Sequence, residues 1–185
     1  MTPTETLKHE HEIVLLILDA AEREAASIRT TGTAHVAEVE EMVDFFKNFV
    51  DRCHHGKEER HLFPTMESRG LPSGGGPLAV MLHEHEQGRA AVRAIGEALV
   101  RIQGGNRDAA PQLADALLQY AEVLRGHIFK ENNVLFRMAE RVMSETDDAD
   151  VTSRFSQVEQ ERGLTGWNES FANELAGWEQ AFKGG

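Results

Sequence analysis

His54-His55-Gly56-Lys57-Glu58 leads to Leu62-Phe63, and His127-Ile128-Phe129-Lys130-Glu131 leads to Leu135-Phe136. The two stretches share the form His-x-x-Lys-Glu-x-x-x-Leu-Phe at an offset of 73 residues. A shorter motif repeats at almost the same offset, since His9-Glu10-His11-Glu12 recurs as His83-Glu84-His85-Glu86. Internal repetition of this kind divides the chain into two halves, each one structural unit.

Turn-forming clusters mark where those units bend. They are Thr30-Thr31-Gly32-Thr33, the Gly- and Pro-rich stretch from Gly70 to Pro77, the run from Gln103 to Pro111, and Ser144 to Asp150. Four long segments between them carry apolar residues at the three-and-four spacing of an amphipathic helix. The first reads Leu7, His11, Val14, Leu18, Ala21, Ala25, Ile28. The third reads Leu78, Met81, His85, Gly88, Val92, Ile95, Leu99, Ile102, and the fourth Leu113, Leu117, Tyr120, Leu124, His127, Glu131, Val134, Met138. The second is less regular: Val39, Val43, Phe46 and Val50 lead by steps of four to His54, Glu58 and Leu62. Short connections between four such helices predict an all-α, up-down-up-down four-helix bundle over residues 1–145.

Ionisable residues interrupt these apolar stripes at positions assigned to the core. An uncompensated charge or unpaired imidazole is costly there, and one metal ion compensates several at once. Hairpin geometry supports the idea. His11 stands about 21 residues before the first turn and His54 about 22 after it, while His85 and His127 each stand about 21 from the third. With a rise of about 1.5 Å per residue, both hairpins bring their histidines to one height. In His-x-x-x-Glu, the two side chains lie a turn apart on one face. The expected site therefore collects His11, His54, His85, His127, Glu58 and Glu131, with the two carboxylates bridging two cations. Ligation by nitrogen and oxygen alone suits iron, manganese or zinc. His55 and Glu59 have the same spacing as His54 and Glu58, and are the alternative register; Glu59 is also a candidate extra ligand. Tyr120, two turns before His127 on the same face, is expected beside the site as a cofactor-binding residue, its hydroxyl bonded to a ligand or coordinating. His9 and His83 fall off the stripe, His61 is read as incidental, His35 as solvated and Cys53 as a small core residue.

Composition removes other readings. A chain of 185 residues with 41% apolar content suffices for one core. A net charge of −12 argues against nucleic acid. A single cysteine excludes an internal disulfide and cysteine-rich clusters. The longest apolar run, Ile13 to Leu18, is too short to span a bilayer, so no membrane is expected. The N-terminal stretch enters an acidic helical segment without a basic-then-apolar pattern, and the expected location is the cytoplasm.

At Glu10-His11, His54 through Pro64, Glu84-His85-Glu86 and His127-x-x-Lys-Glu131, the sequence resembles the hemerythrin-like family of HHE cation-binding domains, over roughly residues 5 to 143. The resemblance implies a four-helix bundle with a non-haem diiron centre: two iron ions joined by an oxo or hydroxo bridge. It implies binding of, sensing of, or redox reaction with a small diatomic ligand or peroxide. Two departures stand out. Arg89 occupies the place where respiratory members have a second third-helix histidine, and Glu131 follows His127 at four residues where they have an aspartate at five. A site poorer in histidine is expected, better suited to sensing or peroxide turnover than to reversible oxygen carriage. Alternatives are a diiron enzyme with peroxide-decomposing or oxidase activity, and a helical interaction module with a structural metal.

Residues 146–185 are expected to form a C-terminal helical extension. Trp167, Phe171, Leu175, Trp178 and Phe182 give it an aromatic face, to be packed on the bundle or placed at a dimer interface; the chain is expected as a monomer or homodimer.

Overall fold

The computed structural model describes residues 1–161 and 163. Five helices account for the described fold, and no strand occurs among these residues. Helix α1, Pro3–Thr31, starts on a capping box in which Thr2 and Glu5 satisfy each other's backbone N–H groups, with Pro3 in the first turn. It ends at Gly32, whose φ of 73° is the left-handed conformation that closes a helix without a Cβ clash. Helix α2 covers residues 36–68 without a break. Its start is tied to α1 by the buried Glu24 carboxylate, which accepts from the backbone N–H of His35 and lies 2.7 Å from its Nδ1. His35 is thus held by an ion pair rather than merely solvated.

The irregular stripe of the second segment has a structural cause. Helix α2 passes from α-helix (Val36–Phe45) into π-helical turns at Phe46–His55 and Glu58–Leu62 before returning to α-helix at Phe63–Ser68. A π turn bonds i to i+5 and so carries about one residue more than an α turn. Helix α3 is Gly76–Gln103. Helix α4 covers 110–142 and holds one π turn, Glu131–Leu135, which starts four residues after His127.

Cross-contacts set the directions. Glu24 meets His35 and His11 meets His54, so α1 and α2 run antiparallel. Arg101 bonds Gln112 and His85 meets His127, so α3 and α4 do the same. Arg89 bonds Asp51 across α2 and α3, and Arg125 bonds Glu22 across α1 and α4. The largest packing faces are α3 on α4 and α1 on α4. Buried apolar residues form two clusters. One runs from Ile13 and Phe46 to Leu117 and Leu124, and the other gathers Leu7, Leu62, Phe63, Met66, Leu135 and Phe136. Between them lies a layer of buried histidines and glutamates.

Ser144 to Asp150, read from sequence as a turn, instead opens helix α5, Glu145–Glu161. Ser144 and Asp147 cap each other, and Glu145, Asp147 and Asp148 in the first turn complement the helix dipole. Val151, Phe155 and Val158 are buried, and α5 packs on α1 and on the Glu58–Leu62 turn. The expected aromatic face from Trp167 onward lies outside the described residues. No helix among the described residues is long and apolar enough to cross a membrane.

Candidate metal centre

Four histidines enter the polar layer from four helices, and an oxygen holds the outer nitrogen of each. His11 Nδ1 lies 2.8 Å from Asn132 Oδ1, and His54 Nδ1 lies 2.8 Å from Glu10 Oε2. His85 Nδ1 lies 2.6 Å from Glu59 Oε1, and His127 Nδ1 lies 3.1 Å from Glu84 Oε2. Nδ1–H donation to these acceptors leaves each Nε2 lone pair facing inward, the arrangement that orients imidazole ligands in metal proteins. The inward atoms meet in pairs. His11 Nε2 is 3.0 Å from His54 Nε2, and His85 Nε2 is 3.2 Å from His127 Nε2. At that distance a proton on one nitrogen makes each pair a hydrogen bond, and a metal ion bound by both lone pairs would take the proton's place.

Two carboxylates lie beside these pairs. Glu58 directs Oε1 to within 3.7 Å of His54 Nε2 and Oε2 to within 3.5 Å of His85 Nε2, so its two oxygens face different histidine pairs. Glu131 Oε2 is 3.2 Å from both His11 Nε2 and His127 Nε2. Both glutamates are 0% exposed, and none of their four oxygens has an aligned hydrogen-bond partner among the described residues. Both nitrogens of the buried His55 are likewise unpartnered for hydrogen bonding. Unsatisfied buried carboxylates are among the costliest features a core can hold, and cations bound between them remove that cost.

Among the described residues, ligand atoms close to within 4.8 Å of one another fall into two groups: His11, His54, Glu58 and Glu131, and His55, Glu58, His85 and His127. Glu58 belongs to both. Either group is capable of holding a metal ion, and the nitrogen and carboxylate donors suit iron, manganese or zinc. In the protein alone, protons balance the charge. Burial opposes protonation of His127, but the adjacent Glu131 carboxylate outweighs it and pushes the imidazole up to about 10. Burial acts against the Glu131 anion too, yet His127 and His11 hold that carboxyl well below its ordinary value. His55 behaves oppositely. Burial and the neighbouring imidazoles of His85, His127 and His54 push it well below the usual histidine range, leaving a neutral ring.

The structure thus brings together His11, His54, Glu58, His85, His127 and Glu131, the six residues expected from sequence. It adds His55, which stood only as an alternative to His54. His55 stacks on His85 with ring centroids 3.8 Å apart and brings a fifth imidazole. Five imidazoles thus converge where a site poorer in histidine was expected. Glu59, the other half of the alternative register, holds His85 from outside. Arg89, in turn, pairs with Glu59 at 2.7 Å, Asp51 at 2.7 Å and Glu86 at 2.6 Å. Tyr120 is buried with its ring 4.3 Å from that of Phe46. Among the described residues its hydroxyl makes no hydrogen bond, so the expected bond to a ligand side chain is not formed. His9 and His83 are exposed, Cys53 is buried in the core, and His61 lies half-buried near α5.

Glu10, Glu84 and Asn132 escaped the sequence reading as holders of histidines, although the first two sit inside the repeated motif. Glu10 also pairs with Lys57, which is 0% exposed and reaches Glu159 of α5 at 2.6 Å. Glu84 pairs with Lys130 in the same manner on the second hairpin. A cavity of about 250 Å³ opens beside the second group, lined by Val50, Asp51, His55, Arg89, Val92 and Tyr120, with Lys47, Arg52 and Arg93 also on its walls.

Comparison with known proteins bears on the same segment. The family model described as hemerythrin HHE cation-binding domain matches residues 2–139. Uncharacterised proteins of Mycobacterium tuberculosis (strain ATCC 25618 / H37Rv) and Mycobacterium bovis are each 22% identical over 162 residues, covering 88% of this chain and 63% of the relative. The chain therefore spans under two thirds of the length of these relatives. The iron-sulfur cluster repair protein YtfE of Dickeya chrysanthemi (strain Ech1591) is 34% identical over 97 residues, 48% of this chain and 41% of that protein.

Proposed function

The chain belongs to the hemerythrin HHE cation-binding family, and from that membership and the seven converging side chains we propose that it is a non-haem diiron protein. In this reading the helices form an up-down-up-down four-helix bundle, and a small ligand such as dioxygen, peroxide or nitric oxide binds or reacts at its core. The observation that carries the proposal is the pair of ligand groups sharing Glu58, with no carboxylate oxygen of Glu58 or Glu131 in an aligned hydrogen bond among the described residues. Two irons held by these groups would supply an exchangeable, redox-active position for such a ligand.

The protein's own residues shape access to that position. At about 250 Å³ the cavity is below the range of drug-sized sites and fits a molecule of few atoms. His55 and Tyr120 line it, and buried Tyr120 keeps its proton because burial raises the phenol well above its ordinary value. Lys47, Arg52 and Arg93 on its walls outnumber Asp51, while Arg89 is paired with Asp51, Glu59 and Glu86, so the walls are more cationic than a chain of net charge −12 would suggest. The family relative named for iron-sulfur cluster repair fits iron chemistry at this centre, and an oxidase or peroxide-decomposing activity is part of the same reading. A cytoplasmic monomer or homodimer is the proposed setting.

The test is metal analysis joined to an optical spectrum. Protein prepared with iron should contain close to two irons per chain and absorb in the near ultraviolet through charge transfer, and azide should shift those bands. One zinc per chain with no affinity for a second ion would defeat the diiron reading. Two irons insensitive to azide would mark a structural staple.

A further inference from the structure

The two hairpins are repeats, yet among the described residues only the first has a helix docked on it. Helix α5 lies over the first hairpin. There Glu159 bonds Lys57, the Phe155 ring lies 5.5 Å from Lys57 Nζ, and Val151 and Phe155 join Leu7 and Leu62 in one apolar cluster. The repeat carries Pro3, Thr6 and Leu7 onto Pro77, Val80 and Met81, and Lys57, His61 and Leu62 onto Lys130, Val134 and Leu135. Those six second-hairpin residues line a groove of about 270 Å³.

The groove is more apolar than its covered counterpart. Val80 and Val134 stand 45% and 48% exposed where the first hairpin has Thr6 and His61. Lys130 is 41% exposed and Lys57 is 0% exposed. Exposed apolar residues rimmed by a cation mark a binding surface.

The chain itself carries a matching segment beyond the described residues. The docking face of α5 is Val151, Phe155, Val158 and Glu159; twenty residues later Phe171, Leu175, Trp178 and Glu179 have identical steps of four, three and one. From Gly163 to Phe171 an extended chain reaches about 26 Å, against roughly 10 Å for one helix diameter. We propose that the segment Phe171–Glu179 docks in the groove between α3 and α4 of its own chain, with Glu179 on Lys130, as Val151–Glu159 docks on the first hairpin. Lys130 then receives a second carboxylate beside Glu84, as Lys57 receives Glu159 beside Glu10. The proposal holds whether or not iron occupies the centre.

Disulfide trapping in the full chain tests it. Val134→Cys with Leu175→Cys, buried Cys53 left in place, should oxidise to an intramolecular disulfide in a monomer-sized species, identified by peptide mapping. The rate should exceed by about tenfold that of a control pair, Leu16→Cys with Leu175→Cys, since Leu16 is exposed elsewhere on α1. Adding Glu179→Lys should slow the link several-fold, and adding Lys130→Glu as well should restore it. Equal rates for the two pairs, a link found only between chains and lost on dilution, or indifference to both charge changes would each overturn the proposal.

Discussion

Glu10 and Glu84 occupy equivalent places in the repeat, and replacing each by glutamine separates their structural from their metal-holding roles. Both carboxylates accept from a histidine Nδ1 and pair with a lysine, but the surroundings differ. Glu10 is 1% exposed and Lys57 is 0% exposed, while Glu84 is 13% and Lys130 is 41% exposed. Removing one charge of a buried pair typically costs about 3–5 kcal/mol. Lys57 retains Glu159, so Glu10→Gln is expected near the lower end, about 3 kcal/mol. For a domain of this size that is a fall of about 6–12 °C in Tm. Glu84→Gln loses a solvent-screened pair and should cost under about 1 kcal/mol. Each amide oxygen still accepts from its histidine but polarises it less, so metal affinity should fall by about tenfold in both variants. Urea unfolding of the metal-free proteins gives the first comparison and competition with a chelator the second. Equal stability losses would show that burial of the first lysine pair has no energetic consequence, refuting the reasoning.

Other outcomes follow from the same geometry. His55→Ala should lower the metal content from about two ions to one, because His11, His54, Glu58 and Glu131 remain, whereas Glu58→Ala should lower both sites' occupancy; elemental analysis reads this, and retention of two ions by His55→Ala would remove His55 from the ligand set. Metal uptake near pH 7.5 should release protons, since His127 without metal is held to about 10 and coordination requires its free lone pair; calorimetry in buffers of different ionisation heat checks it, and heats independent of buffer would contradict it. Without metal, the charged His127 stabilises the fold through Glu131 despite burial. A raised folded-state value makes this contribution complete below about pH 6.5 and lost as pH rises through about 10. Urea midpoints of the metal-free protein should therefore decline over that window.

Much of this structure was legible in the sequence, and the parts that were not have physical reasons. The four segments and the level of the histidines followed from apolar periodicity and matched hairpin lengths, both consequences of regular helix geometry. His55 was hidden by that same regularity. An α-helix turns about 100° per residue, so His54 and His55 read as mutually exclusive. The π turns at Phe46–His55 and Glu58–Leu62 let His54, His55 and Glu58 all join the centre. The signal was present: Phe46, Val50, His54, Glu58 and Leu62 recur at steps of four, longer than the α period of 3.6. The hold of Glu59 on His85 and of Asn132 on His11 was beyond periodicity because these partners lie on other helices. Helix α5 was obscured by acids that resemble a turn but serve as a helix start.

The repeat also shows where the centre departs from symmetry. Glu10 and Glu84 hold His54 and His127, and Glu59 and Asn132, which correspond at the offset of 73, hold His85 and His11. At that offset His55 corresponds to Ile128, a buried apolar residue. The supports of the four shared histidines are therefore duplicated, while the fifth imidazole is not. That unduplicated imidazole lines the cavity beside Tyr120 and Arg89, and its low proton affinity keeps one ring nitrogen's lone pair free. A symmetric scaffold fixes two similar ligand groups, and one substitution in the repeat makes the group facing the cavity richer in nitrogen. Nitrogen-rich ligation of one ion and carboxylate-rich ligation of the other would give the two ions different affinities. Stepwise addition of ferrous iron to metal-free protein should accordingly show two binding phases for the native chain, and loss of one phase in His55→Ala. A single phase of two equivalent ions in the native chain would mean that the break in the repeat does not differentiate the sites.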